Sequence, residues 1–365
     1  MHRVSRQLPI APFVAIAATT VHYKLGNNVS FSDAPANVKE AFMPKVVTLR
    51  SGSGLFHLPG GTKYDGDVKD GLWHGRGKLY NTRKGELYDG EWGNGKRSGQ
   101  GLRVWPSGER YDGAWKNDLW HGEGRLNSPN GDVYNGQWVE CRREGWGTLC
   151  LANGDLYEGR FASDLYDGFG TLSTVSDKYV GEWEGGLRHG LGCLTSAEGT
   201  FEGQFVRDRK HGRGVLTLSG AAAIYEGTWA NGELTGVGVY HTEAGESYAG
   251  GFVNGRKCGQ GELMLNTAGA PKDRSRYVGN FVNDKFHGEG TLTQGSGDEL
   301  GDVYKGEWRL GKRHGAGVLT LAGGDIYDGE FEDDLWHGNG IFVSTRGGVY
   351  SQQYNKGHLV RSVKI

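Results

Sequence analysis

The chain has 365 residues, with 66 glycines, 8 prolines and a formal net charge of -2. Glycine stands far above its average of about 7%, yet no Gly-X-Y register accompanies it, which excludes collagen. The 11 Trp, 17 Tyr and 13 Phe are core material that a disordered chain lacks, and a near-neutral balance offers no global attraction for nucleic acid.

Residues 1–50 hold Arg3, Arg6, Lys24, Lys39, Lys45 and Arg50 against only Asp33 and Glu40. Pro9 and Pro12 interrupt the apolar stretch Leu8 to Val21 and spoil an amphipathic helix. We read this extension as a poorly ordered or docking arm. A targeting peptide and a reversible membrane-contacting segment stay open as alternatives. In residues 51–63, Gly52, Gly54 and Phe56 have the spacing of a lone strand, a half-repeat cap that starts a sheet.

From residue 64 to 349 one frame recurs. It begins at Tyr64, Tyr88, Tyr111, Tyr134, Tyr157, Tyr179, Phe201, Tyr225, Tyr248, Tyr277, Tyr304 and Tyr327, which makes twelve copies. The frame is Tyr-x-Gly-x-Trp/Phe, a short loop, then Gly-x-Gly-x-Leu. Both halves have the period of two that marks a strand, so each copy is one β-hairpin. Tyr111, Gly113 and Trp115 share one face of their strand, and Gly122, Gly124 and Leu126 share one face of the next. This places the aromatic rings across glycines of neighbouring strands, where a Cβ would displace them. Leucine closes nine second strands; Arg103, Tyr240 and Phe342 replace it in the others.

The pattern resembles the MORN repeat (membrane occupation and recognition nexus) from residue 64 to about 350. The resemblance implies an all-β fold: an elongated, twisted antiparallel sheet, or half-pipe, of stacked hairpins. It also implies a place among cytoskeletal, ciliary or membrane-junction scaffolds, or as an accessory segment beside lipid kinases and methyltransferases. Stability in such an array comes from nearest-neighbour stacking, and twelve flat two-stranded repeats would extend over roughly 115 Å.

The longer connections, about 266–276 and 294–302, read as protruding polar loops. Residues 350–365 form a degenerate cap, in which Tyr350 and Tyr354 keep their places and Gln352 replaces the glycine. Open sheet ends invite pairing with another chain, so a homodimer through a sheet end is expected, most readily at the C-terminal one.

Candidate chemistry is sparse. His74, His121, His189, His211, His287, His314 and His337 precede the Gly-x-Gly in seven copies. Neighbours in such a row lie about 10 Å apart, too far to share an ion bound at about 2 Å. The Gly-x-Gly motifs lie inside strand patterns and lack the helix of a phosphate loop. Cys141, Cys150, Cys193 and Cys258 show no CxxC spacing, as expected of a reduced cytosolic protein. No run of about 20 apolar residues is present to span a membrane. We expect no enzyme activity, no cofactor, no metal and no nucleic-acid partner.

The residues just before the His position are more informative. Five copies carry basic pairs: Lys96-Arg97, Arg142-Arg143, Arg209-Lys210, Arg256-Lys257 and Lys312-Arg313. Others carry apolar-aromatic pairs, among them those ending in Trp73, Trp120 and Trp336. The hairpin turns align them along one sheet edge. This edge is the expected contact for an acidic partner or an anionic membrane, where each basic residue contributes about 1 kcal/mol, with the Trp rings at the interface level. The leading functional expectation is a non-enzymatic scaffold for protein partners, cytoplasmic and on cytoskeletal or ciliary structures. The alternatives are a peripheral phospholipid adaptor and a targeting subunit of an enzyme complex.

Overall fold

A computed structural model describes residues 51–220, 223–266, 274–296 and 299–365. The expected arm at residues 1–50 lies outside them, as does most of the connection at 266–276. Within the described residues the regular structure is twenty-seven β-strands and one 3-10 turn, Pro59–Gly61. Two compact units divide between Tyr166 and Asp167, within the strand Leu165–Ser173.

In the first unit, Ser51–His57 pairs with Lys63–Lys69, which pairs with Leu72–Asn81, and so on in chain order to Leu156–Ala162. In the second unit the same order runs to His358–Lys364. Every pair is antiparallel, as short hairpin connections dictate. Each repeat turns through two residues that both have positive φ, such as Asp70-Gly71 and Asn117-Asp118. This is the two-residue turn whose twist matches that of its strands.

The ring slots lie where the spacing places them. Tyr64 stands on Lys63–Lys69, and its ring covers Gly77 on the paired strand, where a Cβ would collide with the phenol. The Tyr64 hydroxyl donates to the Asp67 carbonyl at 2.8 Å. Tyr111, Tyr157, Tyr248 and Tyr277 repeat this bond. Rings also meet edge to face across repeats. Tyr134 and Phe161 are 5.1 Å apart, as are Tyr277 and Phe281, which belong to a single repeat. Such pairs add about 0.5–1.5 kcal/mol beyond the area they bury. The indoles at the second aromatic position donate to the glycine carbonyl of the preceding repeat, as Trp92 does to Gly77 at 2.9 Å.

Three features depart from the sequence reading. The first glycine of each Gly-x-Gly does not share a face with the second. Gly75 has a φ of 60° and sits in a bulge, after which the register resumes at Asp67↔His74. Asp67 Oδ2 accepts the freed Arg76 N–H at 3.2 Å. Only glycine adopts that conformation without penalty. The connection at 294–302 is mostly strand: Lys285–Ser296 and Glu299–Arg309 pair out to Ser296↔Glu299, past a bulge. The C-terminal cap is a full hairpin, Gly348–Asn355 with His358–Lys364, and all seven residues of the last strand are exposed.

Candidate functional site

The basic and aromatic pairs stand at the turn edge, where alternation along the strand sends their two members to opposite faces. The second member of each pair turns onto the ring-bearing face. In five repeats it is aromatic and lies flat on the leading tyrosine. Trp73 stacks on Tyr64 at 4.7 Å and 13°, Trp120 on Tyr111 at 4.7 Å and 11°, and Trp336 on Tyr327 at 4.2 Å and 4°. Tyr166 and Phe286 stack on Tyr157 and Tyr277 in the same way. One face of each ring is thus taken up by a core tyrosine: Trp120 is buried, while Trp73 and Trp336, expected from the sequence as interface aromatics, are half-buried against the ring-bearing face.

Where the second member is arginine, the planar guanidinium takes the place of the ring. Arg97 lies 4.6 Å from the Trp115 centroid and Arg143 lies 5.3 Å from that of Phe161. Arg188 and Arg313 sit similarly over Phe205 and Phe331. Each arginine also meets the second turn residue of the next hairpin. Arg97 Nε is 2.9 Å from Asp118 Oδ1, Arg143 Nε is 3.1 Å from Asp164, Arg188 Nε is 3.0 Å from Asp208 and Arg313 Nε is 3.3 Å from Asp334. Lys210 and Lys257 reach over Trp229 and Tyr240 and pair with Glu198 and Glu246. Arg97, Arg143, Lys210, Lys257 and Arg313 are therefore internal ties between repeats, and the expected ten-residue ladder is halved.

The first members face the opposite side and are exposed: Lys96, Arg142, Arg209, Arg256 and Lys312. Of the five, Lys312 has an ion pair, reaching Asp333 at 3.9 Å with both groups mostly exposed. In the first unit they alternate with exposed leucines, giving Leu72, Lys96, Leu119, Arg142 and Leu165 in turn. The second unit presents Leu187, Arg209, Glu233, Arg256, Lys285, Lys312 and Leu335. Successive members stand two strands, about 10 Å, apart. The leucines are the apolar contacts this edge offers, and the alternation of strand faces is the signal that identifies them.

The histidines stand just inside this edge. His189 and His337 lie 3.1 Å and 3.3 Å from Glu184 and Glu332. His287 and His314 each bury an Nδ1 that has no hydrogen-bond partner among the described residues. The described residues contain no group of three or more His, Cys, Asp or Glu side chains placed to hold a metal. The strongly shifted titrations are mainly those of the ring-face tyrosines. Burial pushes Tyr179, Tyr248, Tyr277 and Tyr327 up to about 12. Arg103, which replaces a repeat leucine, falls to about 10 through burial and the nearby Arg97 charge. It stacks 4.4 Å from the Trp105 centroid and pairs with Glu86 at 3.2 Å.

A MORN-repeat family model matches residues 64–82, 88–110, 111–133, 157–176, 179–200, 201–219, 225–246, 248–265, 277–299, 304–326 and 327–349. It passes over 134–156, where the structure folds the same hairpin, with Tyr134 covering Gly147. No curated protein matches the chain.

Proposed function

Because this chain belongs to the MORN-repeat family, we propose that it is a non-enzymatic scaffold holding protein partners along its turn edge. The reading places it in the cytoplasm, on cytoskeletal or ciliary structures. MORN repeats are binding modules in general, and the resemblance to cytoskeletal and ciliary scaffolds supports the finer assignment.

One observation carries the binding reading. The second-position side chains are consumed in ties between repeats, while the first-position side chains stay in solvent at regular spacing. A row of fixed cations and leucines suits a partner that repeats its own contacts or lies along several hairpins. Proximity labelling with a tagged copy, followed by salt extraction of the detergent-insoluble fraction, tests it. Retention that resists salt supports the scaffold. Release at moderate salt with no cytoskeletal neighbours discards it.

A second reading is favoured by the same exposed cations, Lys96, Arg142, Arg209, Arg256 and Lys312. It is a peripheral adaptor on anionic phospholipid, and salt-sensitive co-sedimentation with vesicles would support it. A targeting subunit of an enzyme complex is the third reading, which co-purification of a catalytic partner would support. Self-association has its own motive. The last strand, His358–Lys364, exposes Leu359, Val360 and Val363, with Ile365 just beyond, and open apolar edges pair readily. Light scattering of the wild type beside Val360→Lys reads it.

A further inference from the structure

We infer that the outer face around Trp146 is a receptor for a single cationic side chain, an arginine or lysine of a basic protein segment. Trp146 occupies the position between the two glycines of its repeat, where Arg76, Gln100 and Glu123 stand elsewhere in the first unit. It is 56% exposed, although the other second-strand tryptophans of this unit lie against rings. Its backbone N–H donates to Gln137 Oε1 at 3.3 Å, which fixes the base of the side chain. Its indole N–H has no partner among the described residues.

Beside the indole lies a shallow hollow of about 360 Å³. Its floor is the backbone of three strands at Gly136, Gly147 and Gly159, which stand in register; the tyrosine ring that covers Gly147 lies on the opposite face. Its walls are Glu123, Asn135, Gln137, Thr148 and Glu158. Neither glutamate takes part in an ion pair among the described residues. Arg160 faces Trp146 across the ladder and Arg125 faces Asn135, but neither lines the hollow. An indole face attracts cations, the carboxylates of Glu123 and Glu158 supply negative charge from opposite rims three strands, about 14 Å, apart, and the amides and hydroxyl supply acceptors for a guanidinium. The turn-edge ladder is basic and would repel such a partner, so this site and the ladder select different ligands. The inference stands whether or not the scaffold reading holds.

The test is fluorescence anisotropy of a labelled Gly-Gly-Arg-Gly-Gly peptide titrated with the full chain at physiological ionic strength. Trp146→Ala should weaken binding by about fivefold or more, and Trp146→Phe, which keeps a ring face, by much less. Glu123→Gln with Glu158→Gln should match the alanine variant, while Glu202→Gln with Glu226→Gln, on the second unit, should leave binding unchanged. All four variants alter exposed side chains, and equal melting temperatures confirm their folds. Three results overturn the inference: unchanged binding by Trp146→Ala, equal loss in the second-unit control, or equal affinity for the citrulline peptide, which lacks the charge.

Discussion

Asp118 Oδ1 accepts two hydrogen bonds from Arg97, one from its backbone N–H at 3.1 Å and one from Nε at 2.9 Å. The Asp118 N–H returns a bond to the Arg97 carbonyl at 3.1 Å. Where the arginine is replaced by tryptophan, the aspartate is absent too. Gly95 donates to the Trp73 carbonyl and Gly357 to that of Trp336, each at 2.8 Å. The backbone tie recurs, and the side chains come as sets: Arg97, Arg143, Arg188 and Arg313 each face an aspartate, whereas Trp73 and Trp336 face glycine and Trp120 faces Cys141. Asp118→Gly keeps the left-handed turn but leaves the half-buried guanidinium without its carboxylate. It should cost about 1–3 kcal/mol. Adding Arg97→Trp should recover most of that loss, with a coupling of about 1 kcal/mol or more. Urea unfolding of the two single variants and the double variant measures it, and additive effects would show that the sets are independent.

The glycine slots predict a sharp contrast between glycines. A Cβ at Gly203 would lie 2.6 Å from Gly214 Cα, 2.7 Å from the Arg213 carbonyl oxygen and 2.8 Å from Phe201 Cζ. Backbone cannot yield there, so Gly203→Val should lose about 3 kcal/mol, the upper range for overpacking. At Gly323 an added Cβ meets nothing within 4 Å. Gly323→Ala should be neutral or slightly stabilising, through a smaller unfolded ensemble. Similar midpoints for the two variants would mean that the rings do not require the slots.

The strict two-residue spacing of Tyr64, Gly66 and Val68 made the strands and the ring slots legible, because a strand admits only that period. The bulge at Gly75 was not legible. A Gly-x-Gly reads the same whether its first glycine continues the strand or turns left-handed. Nor was the fate of Arg97, whose partner lies 21 residues on and becomes visible only when several repeats are compared. Tyr225 also looks ordinary in sequence. Yet Tyr240 replaces the closing leucine opposite it, the two rings meet tilted by 33° at 4.7 Å, and Leu234 fills the slot above Gly227 instead. One substitution in a paired strand redirected the ring, a tertiary effect that single-strand periodicity does not carry.

The division of the basic pairs gives a prediction that separates binding from stability. Reversing the exposed members, Lys96, Arg142, Arg209, Arg256 and Lys312, to glutamate should leave the unfolding midpoint nearly unchanged. Each exposed substitution shifts stability by about 0.5 kcal/mol or less. The same five changes should abolish salt-sensitive binding to phosphoinositide vesicles or to an acidic partner. Arg143→Glu alone should lower the midpoint, since it places a carboxylate beside Asp164 and over the Phe161 ring. Vesicle co-sedimentation and urea unfolding on the same preparations read both quantities. A loss of stability in the fivefold variant would place the exposed members in the folded core as well.

The ring-face tyrosines make stability fall in alkali. An unfolded chain ionises its phenols near pH 10, whereas burial holds Tyr179, Tyr248, Tyr277 and Tyr327 protonated to about 12. Between those values the unfolded state binds fewer protons than the folded one, so the free energy of unfolding decreases as pH rises. Below about pH 10 these groups are protonated in both states and contribute no slope. Urea midpoints should therefore be flat with respect to these phenols up to about pH 10 and decline steeply above it. Phenolate absorbance should appear together with loss of the strand signal in circular dichroism, because the buried rings ionise only as the hairpins open. Tyr277→Phe removes one such proton along with the bond to the Asn280 carbonyl. It should start from a lower midpoint, by about 1 kcal/mol, yet decline less steeply. Absorbance that rises well before the strand signal is lost would mean that the phenols reach solvent in the folded protein.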